Sequence, residues 1–460
     1  MSNDRTTPTV LIAGASIGGL MLGALLERTN IKYHIYERAT ELRALGSVLA
    51  IGANILPVFE QLGLLEEIEN FSLPCPSVNV YRTDLSPLGS FELIGREGPC
   101  STGYNNLIFA RPQLYELLRK QVPAHKISLG KKIISTEEKD NKVYIHCSDS
   151  TNYEGDILVG SDGAYSGVRQ SMYKSMDEKG LLPREDLENF SIGYVCMLGV
   201  ATPENPEKYT QLKDNFAHFS TVLGGDNKAW NVTNVPNNQA CWVLTIQLTA
   251  AETNAQRFKN SEWGPETNEA MIKEFQDLPS PFGGTMKEFI DATPKDLISK
   301  VFLEEKVFKT WHHGRTVLIG DACHKMLPTA GQGATNAMQD AVVLANCLYN
   351  IHEYTPENLT KAFEEYYKQR HHRTKELVEI SNAMAKIMVG QSWTERIIRH
   401  VVFNFMPRWI HQKGFAKTLE YRPQIAWLPL VANRGTVHVI PQEGLKAPEE
   451  EKQAKYTVEY

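Results

Sequence analysis

Short apolar runs followed by helical spacing occur near the N-terminus and again after residue 315. Near the N-terminus, the run Val10–Ala13 precedes a helical stretch, Leu20–Arg28, and a second apolar run, Tyr33–Tyr36. This order predicts a β-α-β unit of a parallel sheet. Later in the chain, the run Thr316–Ile319 predicts a buried strand. From Ala334 onward, apolar residues at three- to four-residue spacing predict a helix.

The middle of the chain has a different pattern. Between about residues 187 and 304, short runs rich in aromatic and β-branched residues are separated by turns of Asn, Asp, Gly and Pro. These runs predict an antiparallel sheet with helical cover, inserted between two parts of the parallel-sheet domain. Each of its aromatic side chains, taken singly, is more typical of a hydrophobic core than of a ligand pocket.

A glycine-rich loop, GASIGG, joins the first predicted strand to its helix. Gly14 permits the tight turn, Gly19 permits close packing of helix and strand, and Ser16 stands where the GxGxxG pattern has its middle glycine. Glu37 ends the second strand about twenty positions later, where a dinucleotide site places an acid against ribose hydroxyls. These features predict a site for an ADP-containing cofactor. The adjacent Arg38 fits either a phosphate contact or a surface charge.

Two further acidic turns follow buried-looking strands. The run Asp156–Gly163 contains the turn at Asp162, and the strand at Thr316–Ile319 leads into Asp321. The segment Pro328–Ala334 then supplies a proline and two glycines before a helix, whose unpaired N–H groups favour an anion. Because the carboxyl ends of parallel strands meet at one edge of a sheet, we expect the three turns to surround one cofactor.

Composition limits the remaining possibilities. The 460 residues, with 42% hydrophobic and 22% charged, indicate a globular protein of two or three domains. A net charge of −6 without a basic stripe argues against nucleic-acid binding. Seven scattered cysteines, without zinc-type spacing, predict a reduced compartment and no metal. The N-terminus has no secretory signal, and no run is long enough to span a membrane, so we expect a cytoplasmic protein.

The C-terminal third is predicted to be helical. The stretch Pro356–Val389 contains His371, His372 and Arg373, which we interpret as a solvated charged face because adjacent histidines make a poor metal site. The stretch Met384–Phe415 mixes tryptophan and aliphatic residues with arginine and lysine. It fits either a basic amphipathic helix on a membrane surface or a helix that packs on its own chain, and we favour the second.

Together the three turns resemble the signatures of single-component FAD-dependent aromatic hydroxylases of the p-hydroxybenzoate hydroxylase type. The third is the most specific, because seven residues fall at the family's spacing: Gly320, Asp321, His324, Pro328, Gly331, Gly333 and Asp340. The resemblance covers Val10 to Val378. Weaker cues, Tyr194–Gly199 and Tyr421–Gln424, look most like fungal FAD-dependent epoxidases of meroterpenoid and indole-diterpene pathways.

With this resemblance, the predicted fold class is α/β (α+β). It comprises a Rossmann-like FAD-binding domain, an inserted antiparallel-sheet substrate domain and a helical C-terminal region. The FAD-binding domain is expected in two parts, at 1–186 and 305–390. The substrate domain is expected at 187–304, and the C-terminal helices and tail at 391–460.

The resemblance implies a role for each matching position. Cofactor contacts are expected along the glycine loop and β-α-β unit, at the three turns and at the helix start: Gly14, Ser16, Gly19, Glu37, Arg38, Ala50, Arg111, Asp162, Asp321, Pro328, Gly331, Gly333 and Ala334. The catalytic candidate is Tyr194, whose phenol can donate a hydrogen bond or a proton. The alternative, a strand tyrosine in the core, is at least as well supported.

The implied reaction is that of an FAD- and NAD(P)H-dependent monooxygenase. Reduced flavin and O2 form a flavin C4a-hydroperoxide, which passes one oxygen to an apolar or aromatic small molecule by hydroxylation or epoxidation, as in secondary metabolism. The alternatives are a non-catalytic FAD-binding scaffold and a flavin halogenase, the latter disfavoured because no WxWxIP-like stretch is present. The expected oligomeric state is a monomer or homodimer. A further prediction is peripheral membrane contact through the C-terminal helices, as the alternative to their packing on the chain.

Overall fold

A computed structural model describes residues 7–42, 46–225, 227–249, 266–389 and 392–442. The described strands are β1 Thr9–Ala13, β2 Lys32–Tyr36, β3 Val48–Ile51, β4 Leu73–Pro74, β5 Ser77–Tyr81, β6 Pro87–Glu92, β7 Leu107–Ala110, β8 Ile127–Ser128, β9 Ile133–Lys139, β10 Lys142–Cys147, β11 Asn152–Gly155, β12 Ile157–Gly160, β13 Ser191–Ala201, β14 Phe219–Leu223, β15 Lys228–Val235, β16 Gln239–Gln247, β17 Ser299–Val307, β18 His312–His313, β19 Thr316–Leu318 and β20 His324–Lys325. The described α-helices are α1 Ile17–Leu26, α2 Leu56–Gln61, α3 Leu65–Asn70, α4 Arg111–Lys120, α5 Gly167–Glu178, α6 Arg184–Leu187, α7 Glu266–Phe275, α8 Met286–Asp291, α9 Gly333–Tyr349, α10 Pro356–Val389, α11 Trp393–Asn404 and α12 Arg408–Thr418.

A six-stranded sheet forms the centre of the first domain. Its order is β18-β19-β12-β1-β2-β8, and every pair except β18–β19 is parallel. Helix α1 is buried along its whole length, because it lies against this sheet and packs on α9. This explains why its sequence is apolar on all sides, which an amphipathic surface helix is not. The predicted α/β (α+β) fold class is confirmed.

A second sheet of eight strands lies beside the first domain. Its order is β20-β17-β13-β16-β15-β14-β5-β6, and all of its pairs are antiparallel except β14–β5. Strands β5 and β6 come from residues 77–92, so the sheet is not built from 187–304 alone. By pairing with β14, they cover an edge that a sheet made only of the later strands would expose. The division of the chain into domains at residues 187 and 304 stays a prediction.

Three long-range features connect the C-terminal part to the first domain. Helix α10 runs for 34 residues and packs on α9. After α12, the chain returns in extended form. There the backbone N–H of Ile425 donates to Gln61 Oε1 at 2.8 Å, and Asn346 Nδ2 donates to the carbonyl of Gln424 at 2.8 Å. Among the described residues, no helix is both long enough and apolar enough to cross a bilayer.

Candidate cofactor and substrate site

The glycine loop is shaped by close backbone approaches. Gly14 has a φ of +98°, and a Cβ on it would lie 2.5 Å from the carbonyl oxygen of Ser161. A Cβ on Gly19 would lie 2.1 Å from the carbonyl oxygen of Gly14. Neither space admits a side chain, so both glycines are required for this turn. Ser16 caps helix α1 by accepting from the N–H of Gly19 at 3.2 Å, which satisfies one of the N–H groups at the helix N-terminus.

The three turns meet as neighbours. Strands β1, β12 and β19 are adjacent in the parallel sheet, so the turns that follow them share one edge. The hydroxyl oxygens of Ser16 and Ser161 are 2.6 Å apart, which joins the first turn to the second. Gly320, with a φ of +60°, begins the third turn, and a Cβ on it would lie 3.1 Å from Cβ of Ala337 in α9. Ser161 was not predicted for the site, because its partner Ser16 comes from a turn 145 positions away in the chain.

Glu37 closes the nucleotide end of this edge. Its carboxylate accepts from the backbone N–H of Ala15 at 2.7 Å and from that of Ala39 at 2.9 Å. The side chain therefore lies over the glycine loop at the end of β2, within reach of ribose hydroxyls placed there. Arg38, the next residue, is exposed.

Asp321 lies in a cluster of charges. Lys325 Nζ donates to its Oδ2, and Asp321 is the main cause of the raised pKa of Lys325. Arg111 begins helix α4, and burial lowers its pKa while the charge of Asp321 opposes that shift. Burial likewise raises the pKa of Glu304, which accepts a hydrogen bond from the Tyr165 hydroxyl. The cluster brings together β17, β20 and the turns after β12 and β19, and only Arg111 and Asp321 were predicted for the site.

Asp340 sits in a buried network behind the third turn. It is fully buried, as are His324 and Arg370 to within 1% exposure. Its Oδ2 lies 2.6 Å from His324 Nε2 and accepts from the backbone N–H of Gly320 at 2.9 Å. Its Oδ1 accepts from Arg370 Nε at 2.7 Å. Burial alone would raise the pKa of Asp340, but His324 and Arg370 outweigh it and lower that pKa to about 2.

This network corrects the interpretation of helix α10. Arg370 was not singled out, and the residues after it were expected to form a solvated face. Instead, His371 is half-buried and stacks on Tyr367 with ring centroids 4.5 Å apart, and Arg373 lies 4.1 Å over the ring of Tyr421. Only His372 is exposed among the three predicted positions. The helix is covered on this side by β18 and by the returning C-terminal segment, which the local sequence does not reveal.

One group in this network has the spacing of a metal site. Ligand atoms of Cys323, His324 and Asp340 lie within 4.8 Å of one another. However, both oxygens of Asp340 already accept hydrogen bonds, and the positive charge beside it is Arg370. The arrangement therefore serves to fix the third turn to helices α9 and α10.

The segment Pro328–Ala334 forms the opposite rim of the site. A short 3-10 turn ends at Gly331, which has a φ of +64°, and α9 begins at Gly333, one residue before the predicted start. A Cβ on Gly331 would lie 4.0 Å from Cβ of Ala50 in β3. The predicted residues of this rim and Ala50 are thus brought together.

Tyr194 lies on β13 in an apolar cluster that borders this rim. The cluster consists of Val80, Tyr194, Leu223, Ala229, Leu327 and Ala385, with Leu88, Phe91, Leu303, Met388 and Phe403 packed against it. Leu327 immediately precedes Pro328, so the cluster adjoins the rim. Tyr194 is 8% exposed, and burial raises the pKa of its phenol to about 12. Both expectations for this residue are compatible with its position, because it is packed in a core and lies next to the site.

Asp162 has a local partner. Its Oδ2 accepts from the backbone N–H of Val168 at 3.2 Å, near the start of α5, and burial raises its pKa. Its Oδ1 is buried without a hydrogen-bond partner. A buried acceptor left unpaired costs free energy, so a hydrogen-bond donor from a bound molecule would be favourable here.

The residues present fit a dinucleotide. The glycine loop leaves room for a pyrophosphate over the α1 N-terminus, Glu37 lies at the ribose end, and Asp162 offers an unpaired acceptor. Arg111 and Lys325 add positive charge near Asp321, in the turn after β19. The edge of the sheet is therefore suited to an extended molecule with a phosphate-rich middle.

Comparisons with known proteins agree with this arrangement. The model of the FAD binding domain family matches residues 7–187 and 245–381. The chain is 28% identical over 442 residues to the FAD-dependent monooxygenase ausM of Penicillium brasilianum, covering 91% of this chain and 88% of that protein. It is 29% identical over 390 residues to the FAD-dependent monooxygenase ptmM of Penicillium ochrochloron, covering 82% and 88%.

Solved structures share the fold. Klebsiella pneumoniae HpxO, crystallised with FAD and uric acid, superposes with a TM-score of 0.70 at 20% identity, covering 91% of this chain and 98% of that chain. FqzB superposes with a TM-score of 0.66 at 19% identity, covering 90% and 94%. With the three turns gathered at one sheet edge and the family model matching most of the chain, this protein belongs to the FAD-binding-domain family of flavoprotein monooxygenases, oxidoreductases that use FAD.

Proposed function

We propose that the protein uses NAD(P)H and O2 to insert one oxygen atom into an apolar or aromatic small molecule, by hydroxylation or epoxidation, in secondary metabolism. The observation that carries this proposal is the apolar cluster around Tyr194 and Leu327 beside the rim at Pro328–Ala334. An apolar wall next to the rim suits a substrate with few polar groups. The family model leaves residues 188–244 unmatched, and these contain three of the strands that carry this wall, β13, β14 and β15.

The proposed cofactor contacts follow the sheet edge. Gly14, Ser16 and Gly19 hold the pyrophosphate, Glu37 the adenosine ribose, and Arg111 and Asp321 the middle of FAD. Ala50, Asp162 and the rim residues Pro328, Gly331, Gly333 and Ala334 complete the site, and Arg38 contributes charge at its exposed end. Most of these residues lie at the ends of β1, β2, β12 and β19 or at the start of α9. Ala50 lies on β3 beside Gly331, and Arg111 begins α4 and interacts with the charge of Asp321.

When bound, FAD supplies the redox chemistry and the activation of oxygen. The chain's own groups hold and shield it. The N-terminus of the 17-residue helix α9 places unpaired N–H groups at the rim, where they stabilise negative charge. Burial raises the pKa of the Tyr194 phenol to about 12, so its neutral form is the one available to donate a hydrogen bond toward substrate.

One experiment tests the reaction class. The purified protein is examined by visible spectroscopy, and NAD(P)H oxidation is followed anaerobically and in air. We expect a yellow protein whose flavin is reduced by NAD(P)H and reoxidised by air. A colourless protein would overturn the flavin assignment. A yellow protein that NAD(P)H fails to reduce, even with candidate apolar substrates present, would favour the FAD-binding scaffold.

The substrate scope is tested by product analysis. Incubation with apolar aromatic and alkene compounds under ¹⁸O2 should give products that contain one labelled oxygen. Halide-dependent chlorination would instead favour the halogenase alternative. We place the protein in the cytoplasm, as a monomer or homodimer.

A further inference from the structure

Helix α11 carries an exposed apolar stripe. Trp393, Ile397, Val401 and Phe405 follow one another at four-residue spacing, and they are 74%, 53%, 45% and 69% exposed. Trp409 at the start of α12 continues the stripe at 65% exposed. Apolar residues at this spacing ordinarily face a core. These five residues form what we call the outer face.

The opposite side of α11 already packs on the chain. Val402 is buried, and the ring of Phe403 lies 4.9 Å from that of Phe91 and covers the backbone at Gly89. Ser392 and Glu395 form a capping box at its start. The helix is therefore held without help from the outer face, and its inner side packs on its own chain, as we favoured from the sequence.

The two tryptophans of the outer face differ from the buried tryptophans. Trp230, Trp242 and Trp311 are at most 2% exposed, and the indole N–H of each donates to a carbonyl or hydroxyl oxygen of the chain. Trp393 and Trp409 present their rings to solvent instead. Exposed tryptophan beside aliphatic side chains is typical of a surface that meets a lipid headgroup region.

Charge on the two helices is opposite to that of the whole protein. Residues 392–418 contain five basic residues, Arg396, Arg399, Arg408, Lys413 and Lys417, against the single acidic residue Glu395, whereas the chain carries a net charge of −6. Arg408 pairs with Glu92 at 3.3 Å and Lys417 with Glu376 at 3.9 Å, both at exposed positions. Such exposed pairs are weak and exchange readily for other anions.

We infer that the outer face docks on the surface of an anionic lipid bilayer. The apolar stripe enters the headgroup boundary while the exposed basic residues Arg396, Arg408, Lys413 and Lys417 contact lipid phosphates. Phe403, on the inner side of the same helix, packs against the apolar cluster that contains Tyr194 and Leu327. Docking therefore leaves only helix α11 between the lipid and the apolar cluster that contains Tyr194 and Leu327. The further step, that the bilayer delivers an apolar substrate, rests on the proposed function.

The test is vesicle flotation with the full-length FAD-loaded protein. We expect binding to vesicles of phosphatidylcholine with phosphatidylserine, weaker binding to phosphatidylcholine alone, and loss of binding at high salt. The double variant Trp393→Glu/Trp409→Glu should lower the bound fraction by about tenfold or more, because charge opposes burial of the stripe. Quenching of tryptophan fluorescence by brominated lipid in the unmodified protein gives a second measurement that needs no variant.

The matched control is Leu181→Glu/Leu187→Glu. Both leucines are 56% exposed and belong to the segment between α5 and β13, outside α11 and α12. This variant should bind vesicles as the unmodified protein does. Flavin absorbance and NAD(P)H oxidation without vesicles show whether each variant is folded, and they report the proposed function separately from docking.

Four results would overturn the docking. The first is an unmodified protein that stays unbound to vesicles and unquenched by brominated lipid. The second is equal vesicle binding by the two double variants. A homodimer in solution that Trp393→Glu/Trp409→Glu dissociates would assign the face to a second copy of the chain. Vesicle binding that begins only after removal of residues 443–460 would assign it to that segment.

Discussion

The stretch 320–340 places one aspartate near each end, and the structure treats them in opposite ways. Asp340 is fully buried and held by His324, Arg370 and the backbone of Gly320. The side chain of Asp321 is 38% exposed and pairs with Lys325, at the edge where the three turns meet.

This difference distinguishes a charge that stabilises the framework of the fold, Asp340, from a charge that faces the ligand site, Asp321. Asp340 fixes the third turn to helices α9 and α10, and its partners leave no capacity for a ligand. Asp321 faces the sheet edge with Arg111 and Lys325 nearby, so its partner can be exchanged for a bound molecule. We therefore expect changes at Asp340 to affect stability and changes at Asp321 to affect FAD binding.

The largest expected effect is that of Asp340→Ala. Removing this carboxylate leaves the buried Arg370 guanidinium without its counter-charge, and the unfolding free energy should fall by about 3–5 kcal/mol. Urea denaturation of the apoprotein measures it. Asp291→Ala, which removes an exposed pair with Lys287, is the control and should change stability by less than about 1 kcal/mol. Equal, small losses in both variants would contradict the framework role.

The loss of unfolding free energy at acidic pH should report the protonation of the same carboxylate, Asp340. The pKa of Asp340 is about 2 in the folded protein, below its ordinary value of 3.8. Its contribution, about 2 kcal/mol, is therefore complete above about pH 5 and is lost as the pH falls toward 2. Urea denaturation across this range should give a steeper acid loss for the unmodified protein than for Asp340→Asn. Parallel profiles would exclude a depressed pKa at this position.

At Asp321 we expect an effect on the cofactor rather than on the fold. Asp321→Asn keeps the shape but weakens a charge-assisted hydrogen bond, so FAD affinity should fall about tenfold, which corresponds to about 1.4 kcal/mol. Fluorescence titration of the apoprotein with FAD measures the affinity. Urea denaturation of the same apoprotein should stay close to the unmodified value. Unchanged affinity would remove Asp321 from the cofactor site.

The smallest effect should come from Lys325→Met. The pair with Asp321 is partly exposed, so the unfolding free energy of the apoprotein should fall by no more than about 1 kcal/mol, and by less at high salt. Urea denaturation at low and high salt measures both values. A salt-independent loss as large as that of Asp340→Ala would show that this pair, too, belongs to the framework.

Much of the fold followed from local patterns. Four elements lie within a few residues of their predicted limits: the strands near Val10, Tyr33 and Thr316 and the helix Pro356–Val389. Their limits were predictable because the spacing of apolar residues follows the buried side of a strand or helix. The sequence also indicated helix α1 clearly, because its apolar run directly follows a glycine loop that is typical of a tight strand-to-helix turn. The joining of β5 and β6 to the second sheet had no local signal, because strand pairing depends on edges far away in the chain.

The candidate site, too, was predicted only in part from the sequence. The residue types in the three turns were visible in sequence, and so was their expected location at one sheet edge. The partners of those residues were not: Ser161, Glu304, Lys325 and Arg370 were missed because each acts on a residue from another element. The cofactor roles of the predicted residues stay predictions.

The sequence by itself determined where the chain turns and which turns carry glycine or carboxylate, because backbone sterics and apolar periodicity act within a few residues. The tertiary structure alone decided which carboxylate is buried and which is open. It also decided that one side of α11 packs inward while its apolar outer face stays exposed. Burial and charge pairing depend on neighbours brought together from distant parts of the chain, and the free energy of a charge is set by those neighbours.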